Sequence, residues 1–97
     1  MSDLSLAIEH FSKAVAALAL REGTLRERLG DAWLSLIALE SEDVPAVLRD
    51  QFRALEHGWL ESEVAELDDE ETEEAARGIL VVHAELLTML EPEPGTE

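Results

Sequence analysis

Leu4, Ile8, Phe11, Val15 and Leu18 stand at successive spacings of four, three, four and three residues. That rhythm lines them up along one face of an α-helix and along no single face of a strand. The same rhythm returns three times. Leu25, Leu29, Trp33, Leu36 and Leu39 form a second inward stripe, with Ala32 and Ile37 at its edges. Leu48, Phe52 and Leu55 form a third, with Val44 beneath it, and Ala75, Ile79, Val82, Leu86 and Leu90 form a fourth. No alternating apolar run and no hairpin dipeptide competes with these stripes. The expected fold class is all-α, a compact four-helix bundle built from antiparallel helical hairpins.

Local signals punctuate the stripes. Ser2 or Asp3 can cap the first helix, because a short side-chain oxygen accepts a bond from an otherwise unpaired backbone N–H. Gly23 offers the left-handed conformation that ends helices at low cost. Thr24 with Glu27 three residues on is a capping box for the second helix, so the first link is a tight turn. The stripe is lost at Glu40-Ser41-Glu42-Asp43, and Pro45 is tolerated in a first turn, so the third helix is expected to start near Val44 or Pro45. Its stop is placed slightly ahead at Gly58, with Trp59, Leu60, Val64 and Leu67 as a competing continuation. Asp68-Asp69-Glu70-Glu71 reads as the cap and first turn of the fourth helix, where acids meet the positive end of the helix dipole. Pro92 and Pro94 forbid continuation. The expected organisation is one helical domain over residues 1–90 and a flexible, disordered acidic tail over 91–97.

Ninety-seven residues suffice for one continuous core and not for two. Cysteine is absent, so disulfides, thiolate nucleophiles and cysteine-based zinc sites are excluded. No apolar run approaches the roughly 20 residues that span a bilayer. The start Met1-Ser2-Asp3 lacks the basic segment of a secretory signal. A cytoplasmic location is expected. The formal charge of −16 is uneven. Residues 1–60 hold ten acids against six bases, and residues 61–97 hold thirteen acids against Arg77 alone. A field of that sign disfavours nucleic acid and anionic membranes, and favours cations, basic proteins and basic peptides.

The inventory for chemistry is thin. Carboxylate-bridged di-iron bundles use Glu-x-x-His pairs on one helix face. The residues three before His10, His57 and His83 are Ala7, Ala54 and Leu80. No His-Glu-x-x-His motif, nucleophile elbow or glycine-rich phosphate loop occurs, and the glycines at 23, 30, 58, 78 and 95 are isolated. Calcium would require the Asp-x-Asp-x-Asp-Gly spacing that wraps oxygens around the ion. Arg21, Arg26 and Arg28 are interleaved with Glu22 and Glu27 and are expected to pair with them along the helix. No catalytic, cofactor-binding or metal-binding residue is assigned, and an enzyme is a minority reading.

Two features exceed what folding alone requires. The run Ile79-Leu80-Val81-Val82 and the residues after it are apolar on several faces, whereas one buried stripe needs about three positions in seven. A central helix touching two neighbours explains that run, and so does an apolar interface at Leu80, Val81 and Leu87 for dimerisation or for a partner helix. Helix one repeats the theme over Ala14–Leu20. Then Glu61, Glu63, Glu66, Asp68, Asp69, Glu70, Glu71, Glu73 and Glu74 fill nine of fourteen positions. One or two acids satisfy a helix N-terminus. The others are a solvated face or a candidate surface for a cationic partner.

The order Arg28-Leu29…Ala32-Trp33…Leu36, then Asp43-Val44-Pro45…Leu48-Arg49…Phe52…Leu55, then Leu67-Asp68-Asp69-Glu70-Glu71…Ile79-Leu80 resembles a loose set of small, acidic, helical bacterial proteins without established activity. The resemblance spans roughly Leu4 to Leu90. It implies a compact bundle and names no substrate, and nothing is carried over between Gly58 and Asp68. The expected function is a non-catalytic helical protein–protein interaction module, an adaptor or regulator that also pairs with itself as a homodimer. The alternative is an acidic inhibitor that neutralises a basic protein surface, in the manner of a nucleic-acid mimic or an antitoxin.

Overall fold

Asp3 opens the first helix. Its Oδ1 accepts the Leu6 N–H at 3.0 Å, and its own N–H donates to the carbonyl of Asp43 at 3.0 Å, tying the chain start to a distant loop. The computed structural model describes residues 3–20 and 22–90, and of Leu90 the backbone only. It has four α-helices: α1 Leu4–Leu20, α2 Leu25–Leu36, α3 Arg49–Glu61 and α4 Asp69–Leu90. Short 3-10 turns at Ser41–Asp43, Ala46–Leu48 and Val64–Glu66 join them. Among the described residues there is no strand. Among the described residues no helix is long and apolar enough to cross a membrane. The expected flexible tail over 91–97, and the alternative cap Ser2, lie outside the described residues.

The bundle directions follow from a few polar contacts. Arg28 of α2 donates to the carbonyl of Leu18 at 2.7 Å, and His10 Nδ1 donates to the carbonyl of Ser35 at 2.8 Å. Late α1 therefore faces early α2 and early α1 faces late α2, an antiparallel hairpin. Arg26 places the start of α2 against the start of α4 through Asp69. Ser12 of α1 meets His83 of α4 at 3.2 Å. So α4 runs beside α2 and antiparallel to α1.

The core is continuous and holds all four aromatic rings of the chain. Phe11 and Phe52 meet edge-on at 6.2 Å between centroids. Phe52 meets Trp59 at 5.8 Å, and Trp59 meets Trp33 at 6.2 Å. This chain of rings joins α1, α3 and α2, and such geometry is worth about 0.5–1.5 kcal/mol per pair beyond burial. Leu29, Leu36, Leu39, Val44, Ile79, Val82 and Leu86 fill the space around it.

Several expectations are corrected by packing. On α1 the fully enclosed residues are Ala7, Phe11 and Ala14, with Ala17 and Leu18 close behind, whereas Leu4, Ile8 and Val15 are half-buried. The stripe is rotated toward the alanines because α1 lies close to α2, and a close approach admits small side chains. For the same reason Ala32 is core rather than edge. Ile37 is exposed, since it caps α2 just as the chain turns away. Leu39 is buried but beyond the helix, held by its N–H to the carbonyl of Leu36.

The regular part of α3 begins at Arg49, later than Val44 or Pro45, because the chain first makes the 3-10 turn Ala46–Leu48. It does not stop near Gly58. It continues to Glu61, with the Ser62 N–H donating to the Gly58 carbonyl, and the extra turn is what carries Trp59 onto Phe52 and Trp33. Arg26 and Arg28 do not serve local ion pairs with Glu22 and Glu27. Arg26 reaches Leu67 O and Asp69, Arg28 caps the end of α1, and Glu27 closes the capping box with Thr24.

Candidate functional site

The acidic segment divides into acids with structural work and acids without an evident one. All nine of its carboxylate residues are exposed. Asp68 Oδ1 accepts the Glu71 N–H at 2.7 Å and Glu71 Oε1 accepts the Asp68 N–H at 2.9 Å, a reciprocal cap on α4. Buried Thr72 completes that cap through its hydroxyl, which donates to the Asp68 carbonyl at 2.8 Å. Glu66 Oε1 accepts the Glu63 N–H at 2.8 Å, and Asp69 pairs with Arg26 at 3.1 Å. Folding therefore accounts for Glu63 and Glu66, which form a capping box on the Val64–Glu66 turn, and for Asp68, Asp69 and Glu71. Glu61, Glu70, Glu73 and Glu74 stand on the outside of the α3 end and the first turns of α4.

A groove of about 530 Å³ opens between α3 and α4. Its walls are low because the residues there are small. Ala54 and Gly58 of α3 face Ala75 and Gly78 of α4, and Trp33 of α2 reaches it from the core side. Of the two glycines, Gly78 is the one where a side chain would intrude. A Cβ on Gly58 would touch Trp33 at 3.6 Å, and one on Gly78 would lie 2.8 Å from Leu55 Cδ2. Glu71, Glu74 and Arg77 carry charge along the α4 edge of the groove. Among the described residues, the Trp33 indole N–H and the Arg28 Nε are buried without a hydrogen-bond partner.

The apolar surplus of α4 is on its outside. Leu80, Val81 and Leu87 are 47%, 45% and 40% exposed, so the helix buries one stripe and leaves its outer face half-covered. Val81 also lines the groove, which makes the groove and this face continuous. The corresponding surplus on α1 is partly absorbed: Ala14 and Ala17 are buried, while Leu20 is exposed. Of the groove residues, sequence reasoning flagged only Val81, Glu71 and Glu74. The available signal was the spacing of small residues, four apart at Ala54 and Gly58 and three apart at Ala75 and Gly78.

The three histidines serve separate places. His10 bonds the Ser35 carbonyl, His83 meets Ser12, and His57 is exposed on α3. Among the described residues no three of His, Asp or Glu come together to hold a metal ion. Ser12 and His83 make a hydroxyl–imidazole pair, but both sit inside helices, where backbone N–H groups are committed to the helix ladder and offer no oxyanion donors. Among the described residues one carboxylate, Glu27, is displaced from its ordinary acidity. The backbone N–H of Thr24, and then its hydroxyl, hold Glu27 below the usual glutamate range. No protein-family model, curated protein or solved structure matches the chain.

Proposed function

We propose that this chain is a non-catalytic helical interaction module, an adaptor or regulator, that binds a protein partner with the outer face of α4 and the adjoining α3. The observation that carries this reading is the half-exposed apolar outer face of α4, where Leu80 and Leu87 share one side and Val81 turns toward an open groove edged by Glu71 and Glu74. A folded monomer gains nothing from leaving such a face in water, and apolar patches rimmed by polar residues mark interaction surfaces.

Affinity capture from the native host tests it. The double variant Leu80→Glu, Leu87→Glu alters exposed positions, so its unfolding temperature stays near that of the wild type. The expected result is loss of at least one specific partner. An unchanged partner set would remove this face from the function. Self-association through the exposed side chains of Leu80, Val81 and Leu87, at salt that screens the charge of each copy, is the second form of the same reading. Light scattering would then give twice the monomer mass, and Val81→Glu would return it to one. The acidic-inhibitor alternative draws on the exposed carboxylates of Glu61, Glu70, Glu73 and Glu74. It predicts that the Gln variants of those four lose a basic partner that the Leu80, Leu87 variant retains.

A further inference from the structure

We propose that the α3–α4 groove seats one amphipathic helix of a partner protein, with apolar side chains over Trp33 and lysine or arginine side chains against Glu71 and Glu74. The proposal rests on the interaction-module reading and adds the class of partner.

Shape is the first argument. A helix docks in a groove through anchors at positions i, i+3 or i+4, and i+7, which span about 11 Å. The lining on α4 runs from Glu71 to Val82, about 16 Å at a rise of about 1.5 Å per residue. Two turns of a guest helix fit that length. The volume of about 530 Å³ falls within the roughly 300–1,000 Å³ of ligand clefts. Ala54, Gly58, Ala75 and Gly78 carry at most one side-chain carbon each, so the groove stays open and a guest's apolar side chains meet Trp33, Leu55 and Val82.

Charge selects the guest. The chain carries −16, and among the described residues lining the groove Arg77 is the one base, against Glu71 and Glu74. A second copy brings another −16 to the contact and is repelled at low salt. A nucleic acid or an anionic lipid surface is repelled in the same way. A basic helix is attracted, and its apolar face finds the groove floor.

The test uses defined peptides free of tryptophan, because Trp33 and Trp59 are the only indoles of the chain and both stand at or beside the groove. One peptide carries leucines on one face and lysines elsewhere. A second has glutamates in place of the lysines, and a third has the lysines but leucines scattered around the helix. The first is expected to shift tryptophan emission, with the other two at least tenfold weaker. Ala54→Phe fills the groove from an exposed position and is expected to weaken the first peptide at least tenfold. Glu74→Lys is expected to weaken it severalfold and to flatten its salt dependence. Circular dichroism checks that each variant is folded. If Ala54→Phe is not, a photo-reactive group at the peptide's central leucine gives the same answer by crosslinking to residues 51–58 or 71–82.

Equal binding by the scattered peptide, or unchanged binding to Ala54→Phe, would show that the peptide rides on surface charge and would overturn the proposal. So would no binding at all, or a dimer of the wild type that Ala54→Phe dissolves, which would make a second copy the occupant. A captured partner without a basic amphipathic helix, lost in the Leu80, Leu87 variant, would overturn the groove assignment while leaving the interaction module standing.

Discussion

Leu55 of α3 and Gly78 of α4 meet so closely that a Cβ on the glycine would stand 2.8 Å from Leu55 Cδ2. The contact sets the spacing of the two helices at one wall of the groove. Replacing Gly78 with Ala adds about 1 kcal/mol of helix propensity and forces Leu55 to move. Leu55 is half-buried and borders the groove, so its far end can swing into that space. Gly78→Ala is expected to stay within about 1 kcal/mol of wild type in urea denaturation, because the two effects offset. Gly78→Val adds a branched side chain that Leu55 cannot evade, and is expected to lose about 1–3 kcal/mol.

Adjacent leucines on α4 separate core from surface. Leu86 is fully buried and Leu87 is exposed. Leu86→Ala is expected to cost about 2–5 kcal/mol, and Leu87→Ala to stay within about 0.5 kcal/mol. Chemical denaturation of the two variants checks this, and equal costs would mean that α4 is rotated about its axis.

The start of α2 is equally specific. Gly23 has φ of +114°, and a Cβ there would also lie 2.9 Å from Glu27 Oε1, the atom that accepts the Thr24 N–H. Gly23→Ala therefore strains the backbone and crowds the capping box together. A loss of more than about 1 kcal/mol is expected, read as a lower midpoint in urea. Thr24→Ala removes the hydroxyl half of the box, at about 0.5–2 kcal/mol.

The same box makes a pH prediction. Glu27 is held below the usual glutamate range by the Thr24 backbone N–H and hydroxyl. Because its folded pKa lies below the unfolded one, the contribution is fully present above the unfolded pKa. It is lost as pH falls through the folded pKa. Side-chain carboxyl titration by NMR should find Glu27 titrating below the usual glutamate range. In Thr24→Ala it should move part of the way back, since the backbone donor remains.

What was legible in the sequence was what is local. The Thr24–Glu27 and Asp68–Glu71 caps operate over three residues, so residue type and spacing suffice to name them. The buried positions Phe11, Leu29, Trp33, Phe52, Ile79, Val82 and Leu86 follow from helical periodicity. What depends on two elements meeting was not legible. Gly58 reads as a helix stop by local propensity, yet the gain from placing Trp59 against Phe52 and Trp33 outweighs a glycine's cost of about 1 kcal/mol. Arg26 sits among glutamates in the sequence, and its actual partners come from residues 67 and 69. The groove exists only because one face of α3 meets one face of α4, and neither stripe alone announces it.

On the proposed reading, the outer face of α3 and α4 binds the partner. Amide hydrogen exchange on the chain, alone and bound to the partner that it captures, tests this directly. Slower exchange is predicted over residues 51–58 and 71–87 in the complex, with α1 and α2 unchanged apart from residues near Trp33. Protection concentrated on α1 and the outer side of α2, with residues 51–58 and 71–87 unaltered, would contradict the account.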